Sequence, residues 1–219
     1  MTSQFLQDIK ARDRKSAHPF CLSIDSFDGF NLIPVSVQPN GTIAEEVNKL
    51  TVWRNQFGRS FLTEFDATDD RTAKWLTSTV CDDRTRALFM LYQDGQREPV
   101  GVCGLARIDW IELHAEADLI VSSGSTPPGL MKAALLSLIG WAADNLGMVR
   151  ASVRVLADNP AVNFYLAVGF ALEKAVPLRK RGVGAETHWI EDPTIPTPNR
   201  QLLYMSLPAT PHLKDLITS

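Results

Sequence analysis

The sequence has few cysteines and no long apolar run. Its three cysteines, Cys21, Cys81 and Cys103, are widely spaced and odd in number. They fit neither a disulfide framework nor a metal motif, which points to reduced thiols in the cytoplasm. No stretch approaches the roughly 18 apolar residues of a membrane span. The opening segment, MTSQFLQDIKARDRK, lacks the apolar core of a signal peptide. There are no repeats and no low-complexity tract. No pair of histidines has ligand spacing, so metal-dependent hydrolysis is set aside and no metal is expected. A formal net charge of -3 argues against nucleic acid or another polyanion as partner.

What is present suits one globular domain. The 219 residues are 45% hydrophobic and 21% charged, enough for a full core. Residues 1–27 are weakly periodic and are expected to be an N-terminal extension to a domain over 28–219. Phe30, Leu32, Pro34, Val35 and Val37 predict an edge strand, since Pro34 has no N–H to give a ladder. Asn40-Gly41 predicts a turn and Thr42-Ile-Ala-Glu45 a capping box, followed by Ile43, Val47, Leu50 and Trp53 at helical spacing. Thr68-Asp-Asp starts another helix, with Ala73, Leu76 and Val80 on its buried face.

Strands are expected over Ala87–Tyr92, Val100–Ile108 and about Ile111–Val121. A loop of turn formers, Ser122–Gly129, opens a helix with Leu130, Ala134, Leu138 and Trp141 on one face. Gly147 stops it. Val149 to Leu156 alternates as a strand, with Val149, Ala151, Val153 and Val155 inward. The stretch NPAVNFYLAVGF, 159–170, then packs an Asn-Pro helix start, one tyrosine and a Gly-Phe stop into twelve residues. Asn159 suits the N-cap and Pro160 the first helical position. A strand over Phe170–Leu178, a long proline-bearing loop over 179–199 and a last strand over Gln201–Leu207 complete a mixed α/β order.

This order, with its strand–loop–helix–strand–Asn-Pro helix centre, resembles the GNAT acyltransferase superfamily over roughly residues 28–207, most closely from 112 to 170. The resemblance implies a central, mostly antiparallel, seven-stranded splayed sheet flanked by helices. It implies a pantetheine thioester as co-substrate, acetyl-CoA or another acyl-CoA. Leu119, Ile120 and Val121 match the strand that contacts the pantetheine arm. Gly129 and Leu130 match the end of the phosphate loop, and Asn159 the Asn that opens the later helix. Tyr165 matches the general acid that protonates the leaving thiolate. Leu50-Thr-Val-Trp-Arg-Asn55, with Thr68 and Trp75-Leu76, looks like the branch that acylates amino sugars.

One segment departs from the family. Thr126 falls where an Arg precedes the phosphate-binding glycines, and Pro127, without an N–H, falls where a Gly donates one. Hydroxyls of Ser122, Ser123, Ser125 and Thr126 could substitute. Alternatively the donor is an acyl carrier protein, met by Lys174 and Arg179-Lys-Arg181. A third reading is an acyl-CoA-binding module without turnover.

Acylation needs a neutral amine and a group to take its proton. Glu112, His114, Glu116 and Asp118 alternate on the strand expected over about Ile111–Val121. Glu116 is the first candidate base, with His114 and Asp118 next. Arg54, Asn55, Trp110 and His188 are candidate acceptor contacts, with Asp109 and Trp189 beside them. Cys103 lies mid-strand and reads as core. The sequence therefore predicts a cytoplasmic N-acyltransferase, monomer or homodimer, acting on a small polar amine such as an amino sugar or a biosynthetic intermediate.

Overall fold

The computed structural model describes residues 2–11, 20–36 and 43–208. In chain order the elements are α1 (Thr2–Ala11), β1 (Leu22–Ser23), β2 (Phe30–Pro34), α2 (Ala44–Gln56), β3 (Thr63–Glu64), α3 (Asp69–Trp75), β4 (Ala87–Gln93), β5 (Gly101–Asp109), β6 (His114–Ser122), α4 (Leu130–Leu146), β7 (Arg150–Leu156), α5 (Ala161–Val168), β8 (Ala171–Val183), β9 (Glu186–Glu191) and β10 (Arg200–Pro208). Val37, the Asn40-Gly41 turn and Thr42 lie outside the described residues. The N-cap position of α2 is Ile43, without a side-chain cap.

The strands make one sheet in the order β1-β2-β4-β5-β6-β7-β10-β8-β9-β3. Every neighbouring pair is antiparallel except β6 and β7. Seven strands match the expected set, and the two-residue β1 and β3 and the hairpin strand β9 extend it. The β8–β9 hairpin replaces the loop expected from residue 179. Its strand is exposed on both faces after Leu178, so it carries no alternation to read.

β4 is buried over its first five residues because helices cover both faces of the sheet. Phe89 and Leu91 join α1 and α4 on one side, with Leu6, Ile9, Leu130, Leu138 and Trp141. Leu88 and Met90 join α2 and the wider helical turns Leu76–Cys81 that continue α3 on the other, with Leu50, Trp53 and Val80. A third cluster packs α4 and α5 over β7 and β10. Val149, expected inward, precedes β7 and is 47% exposed. Among the described residues no helix is long and apolar enough to cross a membrane.

Residues 2–11 are tied into this core. Leu6 and Ile9 are fully buried, and Phe5 and Phe20 pack against Trp141. The Lys10 ammonium donates to the carbonyls of Val80, Asp83 and Arg86 at 3.0, 2.6 and 3.0 Å. Burial lowers its pKa to about 8, while the three carbonyls favour the charged form.

Two glycines stop helices as expected. Gly147 takes φ 73° after α4 and Gly169 takes φ 115° after α5, the left-handed conformation that glycine adopts without a Cβ clash. The turn at Gly169 sets Phe170 edge-on against Tyr165, with ring centroids 5.8 Å apart.

Candidate active site

The site is built where β6 and β7 stop pairing. Their parallel register covers only His114–Arg150, Ala115–Ala151 and Glu116–Ser152. Beyond it, β6 remains bonded to β5 and β7 to β10, so two backbone edges face each other across a widening gap. A bulge in β6 shapes that gap. The register passes from Val102–Val121 to Gly104–Asp118, which leaves Leu119 and Ile120 opposite Cys103 alone. Leu119 takes φ 52°, a conformation that costs a side-chain-bearing residue on the order of 1 kcal/mol or more. The bulge breaks the alternation, so the neighbours Asp118 and Leu119 both line one cavity.

That cavity, about 540 Å³, lies on the α2–α3 side of the sheet. β6 supplies Glu116, Asp118 and Leu119, and β7 supplies Arg154 and Leu156. The far wall comes from Arg54 of α2, Phe61, Phe65, Arg71 and Trp75 around α3, and His188 of β9. Thr68 caps α3 by accepting from the Arg71 N–H at 3.3 Å. α2 and α3 are joined by the Thr51–Thr72 hydroxyl bond at 2.8 Å.

Of the candidate bases, only Glu116 and Asp118 reach the cavity. Glu116 is 7% exposed and is held by two guanidiniums, Arg107 at 2.8 Å and Arg154 at 3.0 Å. Burial raises its carboxyl above the usual range, and the two arginines offset part of that rise. Asp118 binds Arg86 at 2.6 Å. His114 sits at the paired end of the seam, bonded to Ser152 Oγ at 2.7 Å and outside the cavity lining. Glu112, expected on the strand, lies in the turn before it, where its N–H bonds Asp109.

Of the acceptor candidates, Arg54 and His188 line the cavity. Asn55 caps the Ala67 backbone instead, through its own oxygen at 2.7 Å and its amide at 3.1 Å. Trp110 packs against the core on the α1–α4 side. Trp189 donates to Glu64 at 2.7 Å. The sequence reading missed Arg71, Arg86, Arg107 and Arg154. Arg107 comes from a second bulge, with φ 47°, which no periodicity announces.

Val121 packs with Leu119 toward the α2–α3 side, and the opposite side of the gap carries the other matched residues. Ile120 packs under α4, and Gly129, at φ 85°, precedes its first turn. Leu130 is fully buried. In the loop before it, Ser122 bonds Thr126 at 2.8 Å and Ser123 bonds Ser125 at 3.0 Å. The hydroxyls are thus engaged with one another. Asn159 Oδ1 accepts from the Ala161 N–H at 2.9 Å and caps α5. Tyr165 is 7% exposed. Burial and the carboxylates of Asp118 and Glu116 raise its pKa well above the ordinary phenol value, so it stays protonated. Cys103 is fully buried, and burial pushes its thiol up to about 12, which leaves no thiolate for nucleophilic attack.

Residues 42–170 match the family model described as an acetyltransferase (GNAT) domain. The chain belongs to the GNAT acetyltransferase family. No curated protein matches it. Several solved GNAT acetyltransferases share its fold at low identity. Spermidine N-acetyltransferase from Vibrio cholerae, in complex with CoA and spermine, is 14% identical, with 84% of this chain and 97% of that one covered at a TM-score of 0.63. The microcin C7 self-immunity acetyltransferase MccE, in complex with acetyl-CoA and AMP, is 16% identical over 85% and 96% at 0.62. The ribosomal L7/L12 alpha-N-protein acetyltransferase RimL, in complex with coenzyme A, is 14% identical over 86% and 98% at 0.62. The open, mostly antiparallel sheet of this GNAT enzyme is therefore the family's architecture, and the enzyme is an N-acyltransferase.

Proposed function

We propose that this enzyme transfers an acyl group, acetyl in the simplest case, from acyl-CoA to the amine of a small polar acceptor held in the cavity. One observation carries the reading: β6 and β7 part after three paired residues, beside a cavity lined by both strands. Open strand edges supply the N–H and C=O groups that an amide-bearing pantetheine arm can complete. The arm enters along Leu119, Ile120 and Val121, with its phosphates toward Gly129 and α4, and meets the amine at the gap.

The amine attacks the thioester carbonyl directly. A carbon–nitrogen bond forms as the carbon–sulfur bond breaks, and N–H groups of the parted strand stabilise the developing oxyanion. Tyr165, kept protonated by its surroundings, donates to the departing thiolate. Glu116 takes the amine proton, its raised proton affinity suiting a base. Amino sugars remain one acceptor class to test, as do biosynthetic amines.

A second donor is favoured by one feature. Pro127 and Pro128 offer no N–H groups, and the loop hydroxyls bond one another. A carrier-protein donor, with one phosphate in place of a pyrophosphate, asks less of that loop. Calorimetry with free CoA and acetyl-CoA separates the two. Micromolar binding, followed by CoA release in an amine screen, supports acyl-CoA. No binding, with transfer from an acylated carrier protein, supports the second donor. Absence of transfer from either donor overturns the proposal.

A further inference from the structure

The cavity has more positive charge than its own acids can match. Arg54, Arg71, Arg86, Arg107 and Arg154 face Glu116, Asp118 and Glu186. Each of those carboxylates is already taken: Glu116 by Arg107 and Arg154, Asp118 by Arg86, and Glu186 by Arg71 at 2.8 Å and by His188 at 3.1 Å.

Arg54 is the cation left over. Among the described residues no carboxylate forms an ion pair with it. Its Nη2 donates to the Thr63 carbonyl. Its guanidinium carbon lies 3.9 Å from the Phe61 ring centroid and 4.4 Å from that of Phe65. Its Nη1 is buried and has no hydrogen-bond partner. Buried donors are almost always paired, so an orphan in a cavity wall points to a group that arrives from outside. Burial, and then Arg71, lower the Arg54 pKa to about 10 against the weaker opposing pull of Glu186 and Glu64, so the group is still charged at neutral pH. A stacked, anchored guanidinium whose Nη1 is left unpaired suits an oxyanion.

We infer that the acceptor amine also carries a carboxylate or a phosphate, and that this anion seats on Arg54. The inference rests on the cavity being the acceptor site. It also fits the state of the cavity acids, all of them engaged by cations. Surplus positive charge disfavours a protonated amine, so the acceptor is more readily neutral at its reacting nitrogen. A polycationic amine would meet the same field as repulsion.

The test uses saturating donor and matched amines. One pair is an α-amino acid and its carboxamide. The other is an amino-sugar phosphate and the unphosphorylated amino sugar. Spermidine is the cationic comparison. In at least one pair the anionic member should lead by about tenfold or more in kcat/KM, the scale of a charge-assisted hydrogen bond. Which pair shows the difference separates carboxylate from phosphate.

Arg54→Gln should collapse that ratio toward one, chiefly through KM. Arg54→Lys, which keeps the charge and loses the fork, should keep part of it. The same amines are also tested as ligands by thermal shift of the wild type and both variants with CoA present. Preference for the neutral members or spermidine, a ratio that survives Arg54→Gln, or no Arg54-dependent stabilisation by either anion overturns the inference. Failure of the acyltransferase reading is a separate result, namely no transfer from either donor.

Discussion

Arg154 donates from Nε to both carboxylate oxygens of Glu116, at 3.2 and 3.0 Å, across the line where β6 and β7 part. Arg107 reaches the same carboxylate from β5. Three adjacent strands are thereby joined at the point where backbone pairing gives out.

Removing Glu116 should therefore weaken the fold as well as the chemistry. Glu116→Ala leaves Arg154, whose side chain is only 17% exposed, without its main partner. Breaking such a pair from one side costs about 3 kcal/mol. Glu116→Gln, which keeps a hydrogen-bonding oxygen, should cost less. Urea unfolding of the two variants measures this. A loss below about 1 kcal/mol for the alanine variant would show that the pair contributes little.

Tyr165→Phe should separate chemistry from stability. Among the described residues no group accepts a hydrogen bond from the phenol, while its ring packs edge-on between Phe164 and Phe170. Phenylalanine preserves that packing. Turnover should fall about 10²-fold, the scale of general acid catalysis, with little change in melting temperature. Unchanged turnover in the folded variant would remove Tyr165 from the mechanism.

Two glycines should respond oppositely to alanine. A Cβ at Gly104 would lie 2.7 Å from the Ala87 carbonyl oxygen and 2.9 Å from Leu88 Cδ1. Gly104→Ala should destabilise by about 1–3 kcal/mol, as overpacking does. A Cβ at Gly140, within α4, meets nothing within 4 Å, and Gly140→Ala should stabilise by about 0.5–1 kcal/mol through helix propensity. Thermal denaturation of both compares the signs directly.

His114 gives a pH dependence. Burial, then Arg150, hold its pKa below the ordinary imidazole value, and Asp109 and Glu173 oppose that shift. The unfolded chain thus takes up this proton near pH 6.5, before the native state does. Stability contributed here is present above that pH and falls as pH drops toward the native pKa. His114→Gln should show a smaller loss of melting temperature between pH 7.5 and 5.5. Equal losses would assign the dependence to other groups.

The elements that position the site were legible in the sequence where their residues signal locally. Asn159-Pro160, Gly147 and Gly169 are end signals that act within a turn or two. The apolar run of β4 reads as a strand buried on both faces. The β8–β9 hairpin was not legible, because a strand exposed on both faces shows neither alternation nor an apolar run. The buried role of Lys10 was hidden for another reason: its three carbonyl partners lie seventy or more positions away. The cavity arginines come from two helices, a turn and two strands, so each resembles ordinary solvated charge within its own segment. Arg54 and Glu116 were found because each lies beside a motif. Arg107 and Arg86 have no such neighbour.

The docking of α1 also has a consequence for synthesis. Its partners are Trp141 and its neighbours in α4, and the carbonyls that receive Lys10. At ordinary translation rates, α4 follows α1 from the ribosome after roughly ten seconds or more. Through that interval Phe5, Leu6 and Ile9 lack the α4 half of their core. The nascent chain therefore carries an incompletely covered apolar segment until α4 emerges, and loss of α4 from a truncated message would leave that segment open to chaperones and proteases.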